Sequence, residues 1–190
     1  MKITQVDDNG RLFRVEELLP TELLDRVLGL DWNSLPWQRE DQQEMWARKS
    51  VSKESVPVLR EACQYIAGLH HWLEERFQIK FEYDTNYGNT NWWIDQPGFT
   101  TPMHTDGELP LSLQMYYIGN TDLGTSFYTY NNEDTLIRKF DFLPNTGYIM
   151  LNGKNPDGSQ PLQWHSMLTP VPANTIRVSS YTVFPNYSYK

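Results

Sequence analysis

From residue 80 onward the chain breaks into short runs of β-forming residues separated by Gly, Asn, Asp and Pro. The runs are Lys80 to Tyr83, Asn89 to Asp95, Leu111 to Ile118, Thr125 to Tyr130, Gly147 to Asn152, Leu162 to Leu168 and Thr175 to Phe184. An opening strand, Arg11 to Val15, and two helical segments precede them. The first helix starts at Pro20-Thr21-Glu22, carries Leu23, Leu24, Val27 and Leu28, and stops at Gly29. The second runs from about Pro57 to Phe77, where Leu59, Ala62, Cys63, Ile66, Leu69, Leu73 and Phe77 recur at helical spacing. Seven or eight short strands after two helices predict a mostly β chain, a sandwich or jelly roll with the N-terminal helices packed on one sheet. At 190 residues the chain is expected to form one domain, with 1–79 mainly helical support and 80–190 the β core. The charged stretch from Asn131 to Lys139 is expected to be a solvated hairpin connection.

Charge narrows the functional classes. A formal charge of -8 argues against general nucleic-acid binding, which needs clustered Lys and Arg. No segment approaches the ~18 apolar residues of a membrane span, and the first residues have no apolar core of signal-peptide length, so a cytoplasmic, soluble protein is expected. The single cysteine, Cys63, excludes an internal disulfide and lies in an apolar helical pattern, where a small buried residue is expected rather than a nucleophile.

The four histidines can be judged singly. His70 and His71 are neighbours on a helix, point about 100° apart, and fit structural or surface roles. His104 is followed two residues later by Asp106 at the start of the β region, where an extended chain projects i and i+2 to one side. His165, inside the run Leu162 to Leu168, is the third candidate ligand. Two imidazoles and one carboxylate on one face of a divalent cation leave adjacent positions open, as non-haem Fe(II) oxygenases require. Zinc accepts the same ligands, so these residues alone leave the metal open.

The last run alternates: 175, 177, 179 and 181 are polar, while the even positions are mostly apolar. With Ile176, Val178 and Phe184 against the helices, Arg177, Ser179 and Tyr181 face the interior. An inward guanidinium needs an anionic partner. That partner is either a protein carboxylate or the distal carboxylate of a bound dicarboxylic acid, which Arg177 and Ser179 suit. In the run Leu111 to Ile118, Tyr117 shares a side with Leu111, Leu113 and Met115 and is expected to point toward the cavity as a further contact.

Taken together, His104-Thr105-Asp106, QMYYIGN at 114 to 120, LGTSF at 123 to 127, WHSMLTP at 164 to 170 and RVSSYTVF at 177 to 184 resemble the 2-oxoglutarate/Fe(II)-dependent oxygenase superfamily, particularly its prolyl-hydroxylase-like branch. The resemblance implies a double-stranded β-helix. It implies His104, Asp106 and His165 as Fe(II) ligands, Arg177 as the group that binds the distal carboxylate of 2-oxoglutarate, and Tyr117 and Ser179 as auxiliary contacts. It further implies a hydroxylase that consumes O2 and 2-oxoglutarate, releases succinate and CO2, and uses ascorbate at most as a support. Because Asp106 fills the position that related halogenases leave for chloride, hydroxylation is favoured over halogenation. The expected substrate is a protein side chain, prolyl or other, or a small amino-acid-like metabolite. Trp92, Trp93 and Tyr116 are candidates for its entrance, and Asp95 to Pro110 for part of a lid. Two other readings stand beside this one: a cupin-like metal enzyme that does not use 2-oxoglutarate, and a jelly-roll binding protein without catalysis.

Overall fold

A computed structural model of the chain describes residues 1–39, 47–82, 89–107, 109–154, 157–160 and 163–190. Its strands are β1 (Lys2–Gln5), β2 (Leu12–Glu16), β3 (Trp37–Arg39), β4 (Arg48–Val51), β5 (Ile79–Phe81), β6 (Asn89–Asp95), β7 (Thr101–His104), β8 (Leu111–Ile118), β9 (Ser126–Tyr128), β10 (Leu136–Lys139), β11 (Thr146–Leu151), β12 (Trp164–Met167), β13 (Arg177–Phe184) and β14 (Tyr187–Tyr189). The helices are α1 (Thr21–Leu28), α2 (Pro57–Ala67) and α3 (His70–Phe77). The strands form a major sheet in the order β1-β2-β11-β8-β13-β6-β4-β3 and a minor sheet in the order β10-β9-β12-β7, with β14 and β5 as a separate ribbon. This is the expected double-stranded β-helix with helices on the major sheet.

The expected second helix is two. Pro57 at the first turn suits helix initiation, because its fixed φ is already helical and its missing N–H is one the helix cannot use. At Gly68 and Leu69 the ladder tightens, with Leu69 N–H donating to Ile66 rather than one residue earlier, and α3 starts afresh. The N-terminal third also contributes β1 to β4 to the major sheet. The stretch from 131 to 139 is exposed as expected, and β10 at its end pairs with β9. Tyr83 and Leu162, at the margins of two expected strands, fall outside the described residues.

Two apolar layers divide the core. Leu23, Leu59, Ile66 and Leu73 of the helices pack with Val15, Leu113, Met115, Val178 and Phe184 on the outer face of the major sheet. Tyr116, Tyr148 and Met150 on its inner face meet Phe127 and Met167 of the minor sheet. Successive residues of a strand point to opposite faces, so β8 sends 111, 113, 115 and 117 to the helices and 112, 114 and 116 inward. Both faces are covered, so Ser112 and Gln114 on the inner face are buried along with the apolar residues. No helix among the described residues is long and apolar enough to cross a membrane.

Gly147 of β11 is the register partner of Met115 in β8. A Cβ there would lie 1.9 Å from the Gln114 carbonyl oxygen, a backbone atom that cannot swing aside. Gly147→Ala should therefore destabilise the fold by about 3 kcal/mol, an overpacking cost measurable by urea unfolding.

Candidate metal centre and its cavity

The antiparallel pairing of β7 and β12 makes His104 and His165 direct register partners. Their rings lie 4.2 Å apart between centroids. Each imidazole is oriented by its own strand: His104 Nδ1 lies 2.8 Å from the Pro102 carbonyl oxygen and His165 Nδ1 lies 2.9 Å from that of Gln163. A carbonyl only accepts, so both Nδ1 atoms carry the hydrogen and both Nε2 atoms turn inward.

Asp106 lies just beyond the end of β7. Its Oδ1 is 3.5 Å from His104 Nε2 and 3.4 Å from His165 Nε2. The three candidate ligand atoms lie within 4.8 Å of one another. Ligands about 2.1 Å from a common cation are about 3.0 to 3.4 Å apart at angles from 90° to tetrahedral, so these separations suit an ion in their midst. The other oxygen, Oδ2, accepts a hydrogen bond from the Tyr181 hydroxyl. Burial opposes ionisation of Asp106, but His104, His165 and Tyr181 outweigh it and hold the carboxyl well below the usual range. Burial and the Asp106 charge push the Tyr181 phenol well up, so it stays a donor.

The cavity beside these groups is lined by Arg48, Trp93, Gln114, Tyr148 and Arg177 among others. Arg177, 2% exposed, donates from Nη1 to Asp95 Oδ2 at 2.5 Å and from Nε to the Leu123 carbonyl at 3.0 Å. Arg48, 4% exposed, donates to the same carboxylate at 2.6 and 3.1 Å. Asp95 itself has no exposure. Of the two partners expected for Arg177, the protein carboxylate is present, but two guanidinium groups share it. These three residues together keep one positive charge, while the carboxylate that lines the cavity, Asp106, belongs to the candidate metal centre.

The other expected contacts divide. Ser179 is inward and fully buried, with its Oγ accepting from Gln114 Nε2 at 3.4 Å; Gln114 also accepts from the Tyr148 hydroxyl, and these two side chains, not Ser179, line the cavity. Tyr117 does not face the cavity. It packs in the helix-side layer against Trp92, with ring centroids 4.8 Å apart, and its hydroxyl pairs with Ser180 at 3.2 Å. The expectation gave its side of β8 to the interior, whereas the helices take that side, and Ser180 supplies the polar partner the phenol needs. Trp92 is likewise core, Tyr116 is buried with its hydroxyl on Thr125, and Trp93 lines the cavity, stacked on Tyr181 at 5.3 Å. Cys63 is buried and accepts from Trp92 Nε1 at 3.2 Å. Arg48 had no place in the sequence reading, since its stretch shows no strand rhythm.

No protein-family model matches the chain, and no curated protein does. Solved structures match its fold. A prolyl-4-hydroxylase from Pseudomonas putida superposes with a TM-score of 0.62 at 12% identity, covering 92% of this chain and 92% of its own. A viral collagen prolyl hydroxylase from Paramecium Bursaria Chlorella virus-1, in complex with 2-oxoglutarate, gives 0.56 at 14% identity over 94% of this chain and 98% of its own. A non-haem α-ketoglutarate-dependent epimerase, SnoN of nogalamycin biosynthesis, gives 0.57 at 10% identity over 94% and 77%. The chain thus has the fold of 2-oxoglutarate/Fe(II)-dependent oxygenases.

Two tyrosines test this geometry. Tyr181→Phe removes the donor to Asp106 and should weaken Mn(II) binding by about tenfold, measured by titration calorimetry. Tyr117→Phe should leave ligand binding unchanged and cost about 1 kcal/mol of stability in urea unfolding.

Proposed function

We propose that the chain is a 2-oxoglutarate- and Fe(II)-dependent dioxygenase that hydroxylates a protein side chain, prolyl or other, or a small amino-acid-like metabolite. The observation that carries this reading is the conjunction of two features in one cavity. Three candidate ligand atoms converge from His104, Asp106 and His165, and a buried guanidinium pair holds one positive charge more than the carboxylate between them neutralises. A metal site alone fits zinc equally well. A candidate metal site beside a cluster with one surplus positive charge suits a dicarboxylate cosubstrate, whose distal carboxylate that cluster would neutralise.

In this reading His104, Asp106 and His165 would hold Fe(II). Arg177 receives the distal carboxylate through Nη2, which makes no hydrogen bond among the described residues. Fe(II) with 2-oxoglutarate and O2 supplies the oxidising chemistry. The protein orients the ligands through the carbonyls of Pro102 and Gln163 and the Tyr181 hydroxyl, and buries Arg177 and Asp95 at the carboxylate site. Trp93, on the cavity wall, is the aromatic group best placed to meet a substrate. The names of the two hydroxylases with this fold favour hydroxylation of a prolyl target, while the epimerase is a reminder that one fold serves several reactions.

With Fe(II), ascorbate and 2-oxoglutarate, the protein should form succinate even without its substrate, and His165→Ala should reduce that signal to background. Tight Fe(II) binding with no affinity for 2-oxoglutarate would favour a cupin-like enzyme instead, and no metal binding would favour a non-catalytic jelly roll. Mass-spectrometric screening for products carrying one added oxygen atom then identifies the substrate.

A further inference from the structure

Arg48, Asp95 and Arg177 occupy one rung across three strands. Arg48 is the register partner of Asp95 between β4 and β6, and Asp95 is that of Arg177 between β6 and β13. Asp95 presents Oδ1 to Arg48 and Oδ2 to both guanidinium groups. The Arg48 guanidinium carbon lies 4.0 Å from the Trp93 ring centroid and 4.4 Å from that of Phe99. The rung carries two positive charges and one negative, all nearly excluded from water.

Without Arg48, the remaining pair of Asp95 and Arg177 would be neutral, and a carboxylate arriving beside Arg177 would meet a full negative charge with nothing in surplus to offset it. With Arg48, the rung plus one incoming carboxylate is neutral. We propose that Arg48 is a positioning residue that occupies Asp95 and so keeps the charge of Arg177 available to the cosubstrate. Arg48 sets cosubstrate affinity through a carboxylate it shares, without needing to touch the cosubstrate. This inference rests on the dioxygenase reading above.

The test is the dissociation constant for 2-oxoglutarate of the Mn(II)-loaded, anaerobic full-length protein, measured by titration calorimetry alongside the Mn(II) affinity. Arg48→Gln should weaken 2-oxoglutarate by about tenfold or more without weakening Mn(II), since it removes a positive charge from the vicinity of the metal site. The double variant Arg48→Gln/Asp95→Asn restores the net charge and should recover binding to within about threefold of wild type. Arg48→Lys keeps the charge in a gentler change and should also stay within about threefold, so it carries the test if Arg48→Gln does not fold. Wild-type affinity in Arg48→Gln, a double variant no better than the single one, or equal losses in Arg48→Lys and Arg48→Gln would overturn the proposal. A wild-type protein that binds Mn(II) and not 2-oxoglutarate would instead sink the dioxygenase reading, and this inference with it.

Discussion

β8 and β13 are buried on both faces, and their pairing couples the helical layer to the chemistry. They lie side by side in the middle of the major sheet, with one set of side chains packed on the helices and the other turned toward the minor sheet. Because the side-chain period of a strand is two, a slip of one residue would carry Arg177 and Tyr181 into the apolar layer and bring Val178 and Phe184 into the cavity. The fixed points against such a slip are physical. The β11 backbone approaches β8 so closely at Gly147 that no side chain fits, and Phe127 of the minor sheet packs edge-on against Tyr148 of the major one at 4.8 Å.

On this frame an acidic chain builds a positively charged cluster into its interior. The formal charge of -8 is spread over the molecule as a whole, yet the cavity wall gathers two guanidinium groups around one carboxylate. Burying charge is tolerable here because the charges are hydrogen-bonded and the arginines lie over aromatic faces: Arg48 over Trp93 and Phe99, and Arg177 over Phe142 at 4.9 Å. The carboxylate of Asp106 is managed differently, with one oxygen tied to Tyr181 and the other turned to the two imidazoles. The same cavity thus offers one pole for a cation and another for an anion.

How much of this was legible in the sequence varied with the strand. β6, β8 and the run ending in β13 stood out with their bounds nearly intact, because their flanks carry turn-forming residues. The inward set of β13 could be read from Arg177, Ser179 and Tyr181 against Val178 and Phe184, although Ser180 and Thr182 are polar on the helix side. On β8 the hydroxyl of Tyr117 misled: the polar members Ser112 and Gln114 mark the inner face, and the phenol finds its partner on the helix side. Asp106 was identified as a neighbour of His104 on extended chain, but it lies past the end of β7, and what brings the second histidine opposite the first is register between distant strands. Register is a long-range property with no local signature. Arg48 was invisible for the same reason, since its meaning comes from the two strands beside it.

The placement of the two histidines has a mechanical consequence. β7 is the outermost strand of the minor sheet and pairs with β12 alone among the described strands. His104 stands at the end of that strand, across from His165, and Asp106 follows it into the adjoining loop. A cation bridging these groups would act as a clasp on the free edge of the sheet, fastening β7 to its neighbour from the side-chain face as the backbone ladder does from within. Ordering of that edge and loading of the ion then become a single linked equilibrium, in which each supplies part of the free energy of the other.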